Sequence, residues 1–444
     1  MDRPGPLRPF SLTAPPPFHR RSRFMLQVLS SAWALLLGIG FLMVGNGLQG
    51  TLLGVRGEIE GFSTFEMSLV MSAYFVGFLG GSRMAPEMIR RVGHVRVFAA
   101  LASFISAVMI MYPALPDTYA WMLGRVIIGF CFSGVYVTAE SWLNNAADNS
   151  NRGKALSLYM IVQVTGIIVA QGLIQVGDPG GYEAFIIASI LVSISFGPIL
   201  LSISPTPAFD STKPMSLKAL MKTSPLGCVG MLLLGGVFSA QFGMSAVYAA
   251  KVGLSLTQLS IFIATFYVGA LFVQYPLGWL SDRMDRRVLI LFVALIGGGG
   301  AMLGAIMGEK YELLLLAALI IGGLSNPLYS LLIAYTNDYL DYDDMPAASG
   351  GLVFINGLGA IAGPVTTGWM MSDGVFGPPG FFIFIAALMF ATAAYAAYRA
   401  TQRASTPIEE TGSVAYMYPT ASPVAVELAQ EAAHEATQSG SESQ

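Results

Sequence analysis

The sequence predicts an all-α integral membrane protein of about 12 transmembrane helices in two pseudo-symmetric six-helix bundles. Three observations carry this. Of 444 residues, 54% are hydrophobic and only 11% charged, and the mean hydropathy is +0.64. Soluble chains run about 25% charged. Twelve stretches are long enough to cross a bilayer core of roughly 30 Å, where each backbone polar group must be satisfied within its own segment. The longest polar gap between them, 204–224, splits the twelve six and six.

In order, the stretches are 27–54, 64–86, 97–113, 119–143, 153–176, 183–203, 225–250, 256–280, 287–308, 312–336, 348–372 and 379–398. Around them the chain divides into an N-terminal tail (1–24), a first bundle (25–203), a linker (204–224), a second bundle (225–400) and a C-terminal tail (401–444). The N-terminal tail has several arginines and a Pro-Pro-Pro run but no short apolar core with a cleavage site, which argues against a secretory signal peptide. The C-terminal tail is rich in Ala, Glu, Ser, Thr and Gln and reads as disordered, solvated chain, with a weak helix at 423–436 as the alternative.

Charge distribution orients the chain. With a cytoplasmic N-terminus and alternating loops, nineteen Lys and Arg lie inside, against Arg56, Lys251 and Lys310 outside. Such a positive-inside bias places both termini in the cytoplasm, and in a bacterium the membrane is the inner one. Cys131 and Cys228 fall within apolar spans and read as small buried residues rather than a disulfide. His19, His94 and His434 read as lying outside the spans. No Ser-His, Cys-His or metal-ligand spacing is present, so neither an enzyme nor a metal or other cofactor is expected. No phosphate-binding G-x-x-x-x-G-K-[ST] loop is present either, so energy comes from a gradient. Nothing points to a nucleic acid or to an obligate protein partner; the expected partners are the lipid bilayer and a small solute.

Residues 278–287 read Gly-Trp-Leu-Ser-Asp-Arg-Met-Asp-Arg-Arg, a knot of charge between two apolar runs. This resembles the G-x-L-x-D-R-x-G-R-R loop of the major facilitator superfamily. A basic counterpart, Arg90-Arg91-Val92-Gly93-His94-Val95-Arg96, lies at the matching junction of the first half. The resemblance extends through Gly45–Thr51, Ala73–Gly77, Ala139–Asn144, Pro327–Ser330 and Asn337-Asp338, most of 35–400, and is similar to the YcaD-like bacterial branch. Departures are plain. Arg90 stands where an Asp is expected, Pro86 where a Gly is, and Asp285 replaces the glycine of the second loop; Glu87 is the candidate replacement carboxylate. The G-x-x-x-G-P-x-x-x-G element of antiporters appears in the eleventh stretch (Gly359, Gly363-Pro364, Gly368) and not in the fifth, its diagnostic place.

The resemblance implies a secondary active transporter working by alternating access, with protons as the default coupling ion. It also implies roles for particular residues. Arg125 matches the family's fourth-helix arginine and is the only cation deep in a span. An intramembrane Arg costs at least ~2.5 kcal/mol and so faces a cavity or a partner; Glu66 is a candidate partner. Glu140 lies fifteen residues along the same helix, about 22 Å away, within reach of Arg91 or Arg152. With Asp282, Arg283, Arg286 and Asp338 these form the expected gating network, Asp338 meeting Arg283 or Arg286; proton carriage or a plain surface pair are the alternatives for Glu140, and uniport or proton uptake through Glu66 or Glu140 stays open.

Buried amides and phenols supply the candidate binding surface: Asn46, Gln49, Gln163, Gln241, Asn326, Tyr329 and Asn356, joined by Tyr136, Gln171, Tyr248, Tyr267 and Gln274. One fixed positive charge favours an anionic or zwitterionic solute. Efflux of amphipathic drugs, and a non-transporting sensor or scaffold, are the competing readings.

Overall fold

The computed structural model describes residues 17–146, 152–201, 215–341 and 344–402, together with Met417, Ser422, Ala425, Val426 and Ala429; side chains are described from Trp33 onward, with those of 144–146 and 152–154 outside the description. Among these residues twelve helices are long and apolar enough to cross a membrane. We number them α1 (Trp33–Ile59, continuing a helix that begins at Pro17), α2 (Thr64–Val92), α3 (His94–Ala114), α4 (Thr118–Leu143), α5 (Ala155–Leu173) and α6 (Glu183–Leu201), then α7 (Pro225–Lys251), α8 (Leu256–Ser281), α9 (Arg286–Met307), α10 (Tyr311–Asn337), α11 (Met345–Met370) and α12 (Gly380–Gln402). A short helix, Leu217–Thr223, lies within the linker, where Met215 N–H donates to Ala347 O at 2.8 Å.

The two halves repeat a design that their sequences barely show. Gly61 and Gly253, 192 residues apart, both adopt positive φ (77° and 72°) in the turn before the second helix of each half. Two residues later Ser63 and Ser255 cap α2 and α8, and each closes a capping box with Glu66 or Gln258. Deeper in, α2 crosses α4 with backbone against backbone. A Cβ on Gly77 would land on the backbone of Val126 and Phe130, and one on Gly129 on that of Tyr74 and Phe78. In the second half Gly269 meets the Leu319 backbone and Gly322 that of Phe266. Gly77 and Gly269 stand at the same depth of α2 and α8. Small residues at such crossings let helices pack where lipid supplies no hydrophobic drive between them.

The bundles meet along three seams, α2 against α11, α5 against α8, and the end of α1 against the end of α7. Hydrogen bonds across them gather at the end away from the linker. Gln175 donates to Ser260 (3.0 Å) and accepts from Thr257 (3.0 Å), Lys251 donates to Thr64 (3.3 Å), and Ser72 donates to Ile361 O (2.6 Å). At this far end Ala246 packs into the space left by Gly54.

The close crossings make a direct test. Gly129→Ala should lower thermal stability by about 1–3 kcal/mol, the range for overpacked sites, because its new methyl meets backbone that cannot yield. Gly299→Ala is the control, since a Cβ there meets nothing within 4 Å. Melting of the two variants in one detergent separates them.

Candidate functional site

The wide turn Ala240–Met244, a π segment inside α7, carries Phe242, whose ring lies 6.0 Å from that of Tyr74 in the first bundle. Such turns inside α-helices are frequent at functional sites. Phe238 and Phe242 stack at 5.9 Å and form a shelf shared by two cavities. One is lined by Asn46, Tyr136, Gln163 and Tyr267. The other is lined by Tyr74, Phe78, Ser82 and Asn356. Asn46 donates to the Tyr136 hydroxyl at 3.4 Å, and that hydroxyl contacts Met43 Sδ at 3.6 Å. Apolar clefts with a few convergent polar groups are where small ligands bind.

Arg125 is buried, 1% exposed, beside these cavities. Its guanidinium donates to Gln49 Oε1 at 3.3 Å, touches Met71 Sδ at 3.4 Å and lies 4.7 Å from the centroid of the Tyr74 ring. These neighbours are all neutral. Arg125 Nε, Gln49 Nε2, Tyr74 OH and Tyr112 OH have no hydrogen-bond partner among the described residues. Glu66 is not the partner of Arg125. It is engaged by Ser63, whose N–H lies 2.8 Å from Glu66 Oε2, because a capping box at the start of α2 uses that carboxylate locally. The repeat puts Ala318 at the depth in α10 that Arg125 has in α4, so the cation belongs to one half alone.

The other candidate residues separate by what they touch. Gln241 and Ser325 exchange hydrogen bonds at 3.1 and 3.2 Å and tie α7 to α10. Asn326 donates to Gly322 O (3.1 Å) on its own helix, and its Oδ1 lacks a partner among the described residues. Asn356 donates to Met231 O at 3.0 Å while still lining the larger cavity. Gln171 accepts from Thr51 at 3.1 Å, a link between α5 and α1. Tyr329 is fully buried and matches Tyr136 in the repeat. Nothing in the sequence alone singles out Tyr74, Phe78, Phe238 and Phe242. A wide π turn carries no composition signal, and aromatic residues facing lipid look the same as these in sequence.

At the linker end, charges pair more locally than expected. Arg286 forms an ion pair with Asp338 and donates to Ala334 O (3.2 Å) and Ser281 Oγ (3.2 Å), with Asp282 at 4.0 Å. Arg283 instead lies over the Trp279 ring at 4.2 Å. Asp285 caps α9 and pairs with Arg287 at 2.9 Å. Glu87 takes both Arg90 (2.8 Å) and Arg91 (2.6 Å), so Arg91 does not reach Glu140. The Arg152 side chain and Asp343 lie outside the described residues. Glu140 is wholly buried and accepts from Tyr159 OH (3.2 Å) and the backbone N–H of Ser422 (3.0 Å). His94, contrary to the expectation of a loop position, is the first residue of α3; it is buried, and its Nε2 lies 2.9 Å from Ser141 Oγ. It stands 192 residues before Arg286, so the first half holds a His-Ser contact where the second holds the Arg286 cluster.

Burial pushes the Asp338 carboxyl up to about 6, against the pull of Arg286. Its folded-state value therefore lies above the ordinary 3.8, so protonation favours the folded chain. Wild type should lose stability relative to Asp338→Asn as pH rises from about 4 through 6, and the melting temperatures of the pair across that window check this.

The sequence profile of the Major Facilitator Superfamily matches residues 35–252 and 226–426. The uncharacterized MFS-type transporter YcaD of Escherichia fergusonii is 24% identical over 364 residues, covering 80% of this chain and 92% of the relative. A YcaD of Escherichia coli is 26% identical over 363 residues, with the same coverage. Among solved structures, the nucleoside transporter NupG superposes with a TM-score of 0.64 at 14% identity, covering 84% of this chain and 98% of that one. A bacterial homolog of the human lysosomal transporter Spinster, in an inward-facing and unoccupied conformation, gives 0.64 at 13% identity, covering 92% and 98%. With a profile match across both halves and twelve membrane-length helices, the chain belongs to the major facilitator superfamily of membrane transporters.

Proposed function

We propose that the chain is a secondary active transporter of the bacterial inner membrane, both termini cytoplasmic, carrying a small anionic or zwitterionic solute through the cavities between its bundles. The observation that carries the solute class is Arg125. A permanently charged guanidinium in a buried site with only neutral contacts is costly unless a counter-charge arrives. Gln49 Nε2 and Tyr74 OH add neutral donors without a partner among the described residues. Together they offer a carboxylate one ionic contact and two hydrogen bonds, next to aromatic walls suited to an apolar body.

Transport follows alternating access. The far end is closed by the Gln175–Ser260 and Lys251–Thr64 contacts, so the solute enters or leaves on the linker side in this state. The Arg286–Asp338 pair and Asp282 hold the α8–α9 loop against α10 and act as the latch of the second half. Among the described acidic residues Glu140 alone is fully buried, which makes it the group for a coupling proton. Glu140→Gln should stop proton-driven accumulation in proteoliposomes and leave solute exchange running. Loss of both would assign Glu140 to the structure instead.

The aromatic shelf of Phe238 and Phe242 favours a second reading, efflux of amphipathic compounds. A thermal-shift screen of organic anions, amino acids, sugars and lipophilic cations separates the two. A ligand at 100 times its dissociation constant adds about 2.7 kcal/mol. An anion should stabilise wild type and lose its effect in Arg125→Ala. Lipophilic cations shifting both proteins alike would support efflux and make Arg125 structural.

A further inference from the structure

Five residues beyond α12 do not behave as solvated chain. Met417, Ser422, Ala425, Val426 and Ala429 are all buried, Met417 to 1% exposure and both Ala425 and Val426 to 0%. Two of them are held by named bonds to opposite halves of the molecule. Met417 N–H donates to Ser330 Oγ at 2.9 Å, and Ser330 Oγ donates back to Met417 O at 3.1 Å, fixing this residue to α10 in the second bundle. Ser422 N–H donates to Glu140 Oε2 at 3.0 Å, fixing the next contact to α4 in the first. Val426 N–H then bonds Ser422 O at 3.2 Å. Glu140 lies three residues before the linker end of α4, and Ser330 seven before that of α10. Met417 and Ser422 are thus held to different bundles, both on the linker side.

We infer that the tail residues Met417, Ser422, Ala425, Val426 and Ala429 act as a wedge that holds the bundles apart on the linker side and so keeps the far end closed. The inference rests on the alternating-access reading. Closing the linker side brings the ends of α4 and α10 together, and Met417, bonded to Ser330, and Ser422, bonded to Glu140, stand in the way of that approach. Buried apolar residues and three backbone bonds must be given up before that approach can occur, and a buried acceptor left without its donor adds to the cost. The far end, where Ala246 packs against Gly54, can open only once the wedge leaves. The tail is therefore an autoinhibitory element within the chain, and whatever withdraws it releases the transport cycle.

The test uses thiol accessibility in the purified full-length protein and needs no substrate, so it stands apart from the solute assignment. In a background with Cys131 and Cys228 changed to Ala, Met417→Cys reports docking and Ala246→Cys reports opening of the far end, each by its rate of reaction with a hydrophilic maleimide. Met417→Cys should react slowly in the full chain. Ser330→Ala or Ser422→Pro, which removes the N–H donated to Glu140, should speed it about tenfold. Ala246→Cys should react several-fold faster in Ser422→Pro and in a chain ending at Gln402. If the shortened chain fails to fold, Ser422→Pro carries the same reading. Reaction of Met417→Cys at the rate of a free peptide thiol would overturn the docking. Release of Met417→Cys by Ser422→Pro with no change at Ala246→Cys would overturn the wedge.

Discussion

The contact on which the rest of this structure depends is the backbone-to-backbone crossing of α2 with α4 and of α8 with α10. Side chains cannot come between these helices, because Gly77, Gly129, Gly269 and Gly322 each stand where a methyl would meet peptide atoms. In lipid the gain from such packing is dispersion and not hydrophobic burial, and it grows steeply as the axes approach. Once the two crossings are fixed, the depth of everything else on α4 and α10 is fixed with them. Arg125 sits one turn before Gly129, and Tyr136 two turns after it. Asn326 and Tyr329 follow Gly322 in the same way.

The repeat makes the asymmetries informative. Turns, capping boxes, glycine crossings and the tyrosines Tyr136 and Tyr329 recur in both halves at nearly one spacing. Against that background Arg125 faces Ala318, Glu140 corresponds to Ile333, and His94 corresponds to Arg286. The first half thus carries the buried cation and the buried carboxylate, while the second carries the Arg286–Asp338 ion pair at its linker end. A scaffold needs both halves alike.

Glu140 also shows how one residue serves two elements. Its carboxylate is satisfied by Tyr159 from α5 and by a backbone amide of the C-terminal tail, both neutral donors. Arg91, which the sequence places within reach of it, is engaged elsewhere, by Glu87 on the same helix. A local i, i+4 pair on an exposed helix end forms at little entropic cost. It therefore outcompetes a contact that needs two helices to bring their ends together.

The sequence by itself determined the twelve helices, the division into halves and the charge knot of the α8–α9 loop, because hydrocarbon-length apolar runs and scarce charge leave few alternatives. It also pointed to Arg125, since a lone cation in an apolar span is conspicuous. It did not reveal the capping boxes at Ser63 and Ser255, although their Gly-x-Ser-x-x-Glu/Gln pattern was there to be read. Tertiary structure decided what composition cannot express. Which aromatics face the seam depends on helix rotation and on a π turn in α7. Whether Glu66 or Glu87 pairs locally or across helices depends on distances that only packing sets. The burial of Met417 and Ser422 depends on a space between bundles that exists only when both are folded, which is why a polar, Ala-rich tail read as solvated chain.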